Sequence, residues 1–234
     1  MSVLKGTKVT WLGHATVLVE IPGGLNLLID PFLEHNPSYP KNFTLPERID
    51  YVLLTHGHMD HIADAAPVAK KHGSTVVGIY ELTSYLTGKG VEKTIGMNLG
   101  GTVSLPGVDV TMVEAKHSSS MQEGEQILYL GDAAGLVLTI HNGPVLYHAG
   151  DTSVFSDMKL IRELYAPEVA MLPMGGHFTM GPREAALAVK YLEPKLILPI
   201  HWGTFPPLKG TPEQLAALLP DGKIVAQLKP GESM

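Results

Sequence analysis

A layered α/β architecture, with helices covering β-sheets, is the fold class this sequence predicts, on three observations. Short apolar runs of strand length alternate with stretches of helical period along the chain. Tight-turn signals separate many of them, as in Pro22-Gly23-Gly24, Pro106-Gly107 and Asn142-Gly143. With 234 residues, 44% hydrophobic residues and a net charge of only -6, the chain can fill a sizeable core, and disorder is excluded.

The elements follow in order. Residues 9–12, 16–20 and 25–29 read as short strands, the second turning into the third at Pro22-Gly23-Gly24. Residues 51–55 form a nearly continuous apolar run, the mark of a strand buried on both faces. Helical stretches are expected over 60–71 and 81–87. Residues 102–105 and 108–115 are strands around Pro106-Gly107, and 135–140 with 144–149 form a hairpin around His141-Asn142-Gly143. A helix over 157–165, a strand over 169–172, a helix over 182–192, a strand over 196–200, a helix over 212–218 and a strand over 224–228 complete the chain. Pro182 and Pro212 stand where the first turn of a helix accepts proline. No linker, repeat or composition shift divides the chain, so one domain over 1–234 is expected.

Composition narrows the chemistry. The chain has no cysteine, which excludes disulfides, thiolate metal sites, iron–sulfur clusters and a thiol nucleophile. Any metal must be held by His, Asp and Glu, and eleven histidines are available. Residues 1–10 lack a secretory pattern, and no apolar run reaches the ~20 residues of a membrane span. A cytoplasmic protein with no membrane and no nucleic-acid partner is expected; Lys70-Lys71-His72 reads as the charged end of a helix.

The strongest local signal is Thr55-His56-Gly57-His58-Met59-Asp60-His61. Three imidazoles and a carboxylate follow directly on a buried strand, and such donors suit Zn²⁺, Mn²⁺ or Fe²⁺. Gly57 is expected to let the backbone turn sharply. His117, Asp151 and His201 each stand just past the end of an apolar run. Ligand sites of layered α/β folds gather at strand ends, so these separate positions point to one place. Asp30 before Pro31 is a candidate partner of a ligand histidine, or a turn starter. His14 reads as such a partner or as a satisfied strand-end histidine. His177, after 169–172, can meet substrate or protonate a leaving group, or be a plain loop histidine. Ser118 and Ser119 beside His117 read as loop residues rather than nucleophiles.

His56-x-His58-x-Asp60-His61, then His117, Asp151 and His201, resembles the signature of the metallo-β-lactamase superfamily. Further marks resemble its cytoplasmic branch of metal-dependent hydrolases, related to ascorbate-6-phosphate lactonase. These are Trp11-Leu12-Gly13-His14-Ala15, Leu28-Ile29-Asp30-Pro31-Phe32, His117-Ser118-Ser119-Ser120, His148-Ala149-Gly150-Asp151-Thr152, Phe178-Thr179-Met180-Gly181-Pro182 and His201-Trp202-Gly203-Thr204-Phe205-Pro206. The resemblance implies an αββα four-layer sandwich with a dinuclear site at one edge. It implies that His56, His58 and His117 hold one divalent ion, that Asp60, His61 and His201 hold the other, and that Asp151 bridges them. Zinc is the first expectation, with manganese and iron as alternatives. The implied activity is hydrolysis of a small ester-like substrate, a lactone, carboxylic ester or phosphodiester, by a metal-bridging hydroxide. Asp60 and His177 are the candidate catalytic residues, and the partner is a small molecule, with a homo-oligomer as a further expectation. Two other readings compete on the same fold. A di-iron redox protein is disfavoured because His58 is kept where such relatives carry Glu. A non-catalytic metal-binding module is disfavoured because every ligand position is filled.

Overall fold

Apolar runs at the start of the chain pair as soon as their turns allow. The computed structural model describes residues 3–234; in it β1 (Lys8–Trp11), β2 (Val17–Ile21) and β3 (Leu25–Ile29) form an antiparallel meander. A crossover brings β4 (Tyr51–Leu53) in parallel beside β3. Helices α1 (Met59–Ile62) and α2 (Ala65–His72) lead to β5 (Thr75–Ile79), and α3 (Tyr80–Gly88) leads to β6 (Thr94–Met97). Both strands extend the sheet in parallel, giving six strands in chain order.

The second half repeats this plan. β7 (Thr102–Leu105) and β8 (Val108–Glu114) are antiparallel. A separate hairpin follows, β9 (Ser120–Glu123) with β10 (Gln126–Tyr129). β11 (Ala134–Ile140) pairs with β8 and with β12 (Val145–His148), both antiparallel. Helix α4 (Met158–Tyr165) then leads to β13 (Val169–Pro173), α5 (Pro182–Leu192) to β14 (Leu196–Ile200), and α6 (Pro212–Ala216) to β15 (Ile224–Val225). These last strands are parallel, and the sheet order is β15-β14-β13-β12-β11-β8-β7.

Alternation along the strands sets the layers. Val169 and Met171, like Leu196, Leu198 and Ile200, join the apolar cluster shared with the first sheet. Their neighbours Ala170, Leu172 and Ile197 join a second cluster with Met158 and Ile161 of α4, Ala188 and Leu192 of α5 and Leu215 of α6. Residues of α2 and α3, such as Val68, Leu82 and Leu86, cover the other face of the first sheet. The result is the expected αββα sandwich. No helix among the described residues is long and apolar enough to cross a membrane.

Several elements differ from expectation. The helix expected over 60–71 is two helices. Pro67 has no N–H to give the carbonyl of Ala63, and Asp64 at the break turns its carboxylate to the Leu33 N–H at 2.6 Å. Strands β5, β6, β9 and β10 were not expected. The last strand ends at Val225 rather than 228. Its shortness explains how Pro199 sits inside β14. β15 reaches only Leu196 and Ile197, so beyond them one side of β14 needs no donor.

Candidate metal centre

Parallel β3 and β4 of the first sheet and parallel β12, β13 and β14 of the second end at one edge of the sandwich. Asp30 follows β3, the 56–61 segment follows β4, His117 follows β8, Asp151 follows β12 and His201 follows β14. A backbone hydrogen bond of 2.9 Å from Ala134 N–H to the Thr55 carbonyl joins the two sheets there.

Three groups of donors converge among the described residues, His56 with His58 and His117, Asp60 with His61, His201 and His14, and the fully buried Asp30 with His56 and His61; the first two are the sets that face the centre. In the first, His56 Nε2 lies 3.0 Å from His58 Nδ1. Asp151 stands between the sets. Its Oδ1 is 3.4 Å from His61 Nε2, and its Oδ2 is 3.0 Å from His201 Nε2 and 3.6 Å from His117 Nε2. All seven histidine and aspartate positions expected to bind metal are thus brought together. His177 is not among them. It is exposed in the loop after β13, at φ 63°, with its ring against Phe178.

Supporting contacts hold the ligands from outside. Asp30 is fully buried and accepts hydrogen bonds from the Thr55 N–H at 2.8 Å, the Thr55 hydroxyl at 2.6 Å and His61 Nδ1 at 2.8 Å. Of its two readings, the partner of a histidine is the correct one. Thr55 Oγ1 also meets His56 Nδ1 at 3.0 Å. His148 gives its Nε2 proton to the Ala15 carbonyl at 2.9 Å and accepts the Gly150 N–H on Nδ1 at 3.1 Å, which fixes the backbone next to Asp151. Ser119 Oγ accepts the Gly57 N–H at 3.0 Å and lies 3.3 Å from the Leu130 carbonyl, a loop-holding role. Gly57 has no left-handed φ; a side chain is excluded there because a Cβ would lie 2.7 Å from Leu130 Cβ.

Backbone strain gathers at this edge. His14, Asp30 and His201 all have positive φ, at 54°, 46° and 53°. Non-glycine residues are held there at a cost of about 1–3 kcal/mol each, and such strain marks functional sites. Gly150 has φ 60°, and a Cβ on it would lie 2.6 Å from the Ala134 carbonyl oxygen. Gly150→Ala should therefore lose stability by more than the roughly 1–2 kcal/mol of the left-handed backbone alone. Denaturant unfolding of metal-free protein measures this, and a wild-type midpoint would contradict it.

Electrostatics divides the donors in two. Burial, reinforced by neighbouring imidazoles, holds His56, His58 and His117 below the ordinary histidine value, so they are neutral with lone pairs available. Burial opposes charge on His61 and His201 too, but carboxylates outweigh it: Asp151 and Asp30 raise His61 well up, and Asp151 raises His201 to about 9. Burial would raise Asp60 and Asp151, yet His14 and His201 around Asp60, and His201 and His61 around Asp151, hold both carboxyls well below the usual range. Without a cation, protons on His61 and His201 balance these carboxylates, and a metal ion would displace them.

The residues fit such an ion. His61 Nε2, His201 Nε2 and Asp151 Oδ1 are buried without a hydrogen-bond partner, although they lie close to one another. Each unmade bond costs about 1–3 kcal/mol. Atoms near in distance but wrong in angle for hydrogen bonding are aimed at a common point. Their 3.0–3.6 Å spacings bracket the ~3.3 Å edge of a tetrahedron with metal–ligand bonds near 2.0–2.1 Å. Asp60, at 32% side-chain exposure, and the half-buried His58 and His117 leave the site open to solvent on one side.

The beta-lactamase superfamily domain matches residues 25–202. The chain belongs to the metallo-β-lactamase superfamily. Its relatives in this superfamily include the UPF0173 metal-dependent hydrolases of Koribacter versatilis, 49% identical over 98% of each chain, and of Methanopyrus kandleri, 48% identical over 97% of this chain and 98% of the other. Among solved structures, Igni18, described as a novel metallo hydrolase from Ignicoccus hospitalis, superposes with a TM-score of 0.83 at 36% identity, covering 97% of both chains. With family, fold and donor set in agreement, the chain is a metal-dependent hydrolase of the metallo-β-lactamase superfamily.

From sequence alone His148 has no assigned role, and His14 is not one of the expected metal donors. The signal for His148 was its position three residues before Asp151 at the end of an apolar run. His14 stands in a recognisable local motif, but that motif does not name its partners, which lie 46 and 187 residues away.

Proposed function

We propose that the site holds two divalent ions and hydrolyses a small ester-like substrate, a lactone, carboxylic ester or phosphodiester. Zinc is the first choice, with manganese or iron able to use the same donors. The observation that carries this reading is Asp151 Oδ2, which lies between His117 of the first donor set and His201 of the second, while Oδ1 faces His61 of the second. When bound, the metals would supply a water nucleophile ionised near neutral pH and stabilise the developing oxyanion.

The chain's own residues then have definite tasks. His56, His58 and His117 hold one ion, Asp60, His61 and His201 the other, and Asp151 spans both. Asp60 combines ligation with access to the solvent side, where it orients the attacking water. His177, exposed on the rim, meets the substrate and can pass a proton to the leaving group. Ser119 takes no part as a nucleophile, since its Oγ is engaged with Gly57 and Leu130.

Metal removal tests the reading. Exhaustive chelation should abolish turnover of whichever lactone, carboxylic ester or phosphodiester is cleaved, and added Zn²⁺ or Mn²⁺ should restore it. Elemental analysis of the reconstituted protein should give two ions per chain. Turnover that survives chelation, or one ion at saturating supply, contradicts it.

A further inference from the structure

His14 stands in the turn between β1 and β2, fully buried, and touches the second donor set in two separate ways. Its Nε2 lies 2.9 Å from Asp60 Oδ2. Its carbonyl accepts the His201 N–H and the Trp11 indole N–H, each at 2.9 Å. Its ring lies 4.0 Å from that of His201, and Phe32 and Phe205 meet it edge-on at 5.7 and 5.5 Å. Stacking of Trp11 on Trp202 at 5.3 Å ties the same turn to the loop that carries His201.

The outer partners decide between coordination and support. His61 and His56 each have a partner on Nδ1, Asp30 and Thr55, and turn Nε2 to the centre. Ligand histidines take such an outer partner because it fixes their tautomer. His14 is the reverse, with Nε2 engaged and Nδ1 buried without a partner. If His14 coordinated through an Nε2 lone pair, its proton would sit on Nδ1 as a buried donor with no acceptor. If Nε2 carries the proton, it donates to the Asp60 carboxylate, which only accepts, and Nδ1 is left as a lone pair among aromatic rings. The second arrangement leaves no donor stranded.

Asp60 needs such a partner. At 32% side-chain exposure it is the least buried carboxylate of the centre, and its contact with His14 at 2.9 Å is shorter than its contact with His201 Nε2 at 3.7 Å. We propose that His14 is a positioning residue for the Asp60–His61–His201 half of the centre, holding Asp60 through its side chain and His201 through its main chain. This rests on the two-ion reading above.

The test compares His14→Leu with His14→Gln in the full chain. Both carry the same left-handed backbone strain and similar bulk, but only Gln keeps a donor that reaches Asp60. Zn²⁺ titrations against a competing chelator read the two dissociation constants, and Co²⁺ absorption reads the ligand geometry of each ion. In His14→Leu one constant should rise about 10–100-fold, the scale of losing an outer partner, while the other holds. His14→Gln should recover most of that loss and the wild-type Co²⁺ spectrum. Metal-free unfolding of both variants should remain a single cooperative transition, which separates positioning from loss of the fold. Equal weakening of both ions in His14→Leu, unchanged constants, or a Gln variant no better than Leu would overturn the proposal while the two-ion reading stands. A wild-type protein that takes up one ion would overturn both together.

Discussion

Asp151→Asn is expected to leave a folded protein that has lost its hydrolytic activity and binds metal poorly. Asp151 is 2% exposed, and each of its oxygens faces a different group of histidines. Asparagine keeps the shape but replaces one oxygen with an amide that only donates. That amide must face either His61 or the His117 and His201 pair, so one side of the centre meets a donor where it needs a negative oxygen. Metal affinity should fall by more than the roughly 10–100-fold cost of losing a supporting partner, because Asp151 faces the centre itself. Turnover should fall by at least about 10²-fold, the scale of deleting one charge-stabilising group. Metal analysis after dialysis, with turnover on the same sample, checks this. Two tightly held ions together with wild-type turnover would exclude the bridging role.

Asp30→Asn should produce the second largest effect, by inverting one histidine. Asp30 only accepts, so one proton stays on His61 Nδ1 and, once a metal ion displaces the other, a bare Nε2 faces the centre. The asparagine Oδ1 can still accept the Thr55 N–H, as the present 2.8 Å bond requires. Its amide nitrogen then replaces the oxygen that faces His61 and donates where Asp30 accepted. His61 is driven to the other tautomer, with the proton on Nε2, where it cannot coordinate. About 10–100-fold weaker metal binding is expected, and the metal-free protein should also lose stability, because Asp30 is a fully buried partner of the His61 charge. Histidine NMR of the variant with Zn²⁺ bound reports which ring nitrogen keeps the proton, and an Nδ1-protonated His61 together with wild-type affinity would contradict the argument.

Much of the site was legible because its parts obey local rules. Three histidines and an aspartate within six residues after a buried strand need no tertiary information to stand out. His117, Asp151 and His201 were legible for a related reason: each follows an apolar run, and strand ends of parallel sheets lie on one edge. The unexpected strands carry weaker signals. Thr75–Ile79 is a β-branched run interrupted by Gly78, β6 has no apolar period, and the β9–β10 hairpin is largely exposed, with Ile127 at 73%. The break in the 60–71 helix depended on Asp64 reaching Leu33, a contact that helical period cannot reveal.

By itself, then, the sequence determined the layered α/β class, the order of most elements and which side chains stand at strand ends, because periodicity, turn chemistry and spacing act within a few residues. Tertiary structure alone decided how those side chains meet. Docking of the two sheets through Thr55 and Ala134 sets the Asp151 distances, and packing of the β1–β2 turn against the loop after β14 gives His14 its two partners. The same packing holds His14 and His201 at positive φ, a conformation that neither would adopt on local preference. Such arrangements depend on groups far apart in the chain, and a hydrogen-bond distance between them is fixed only when both sheets have closed on a common core.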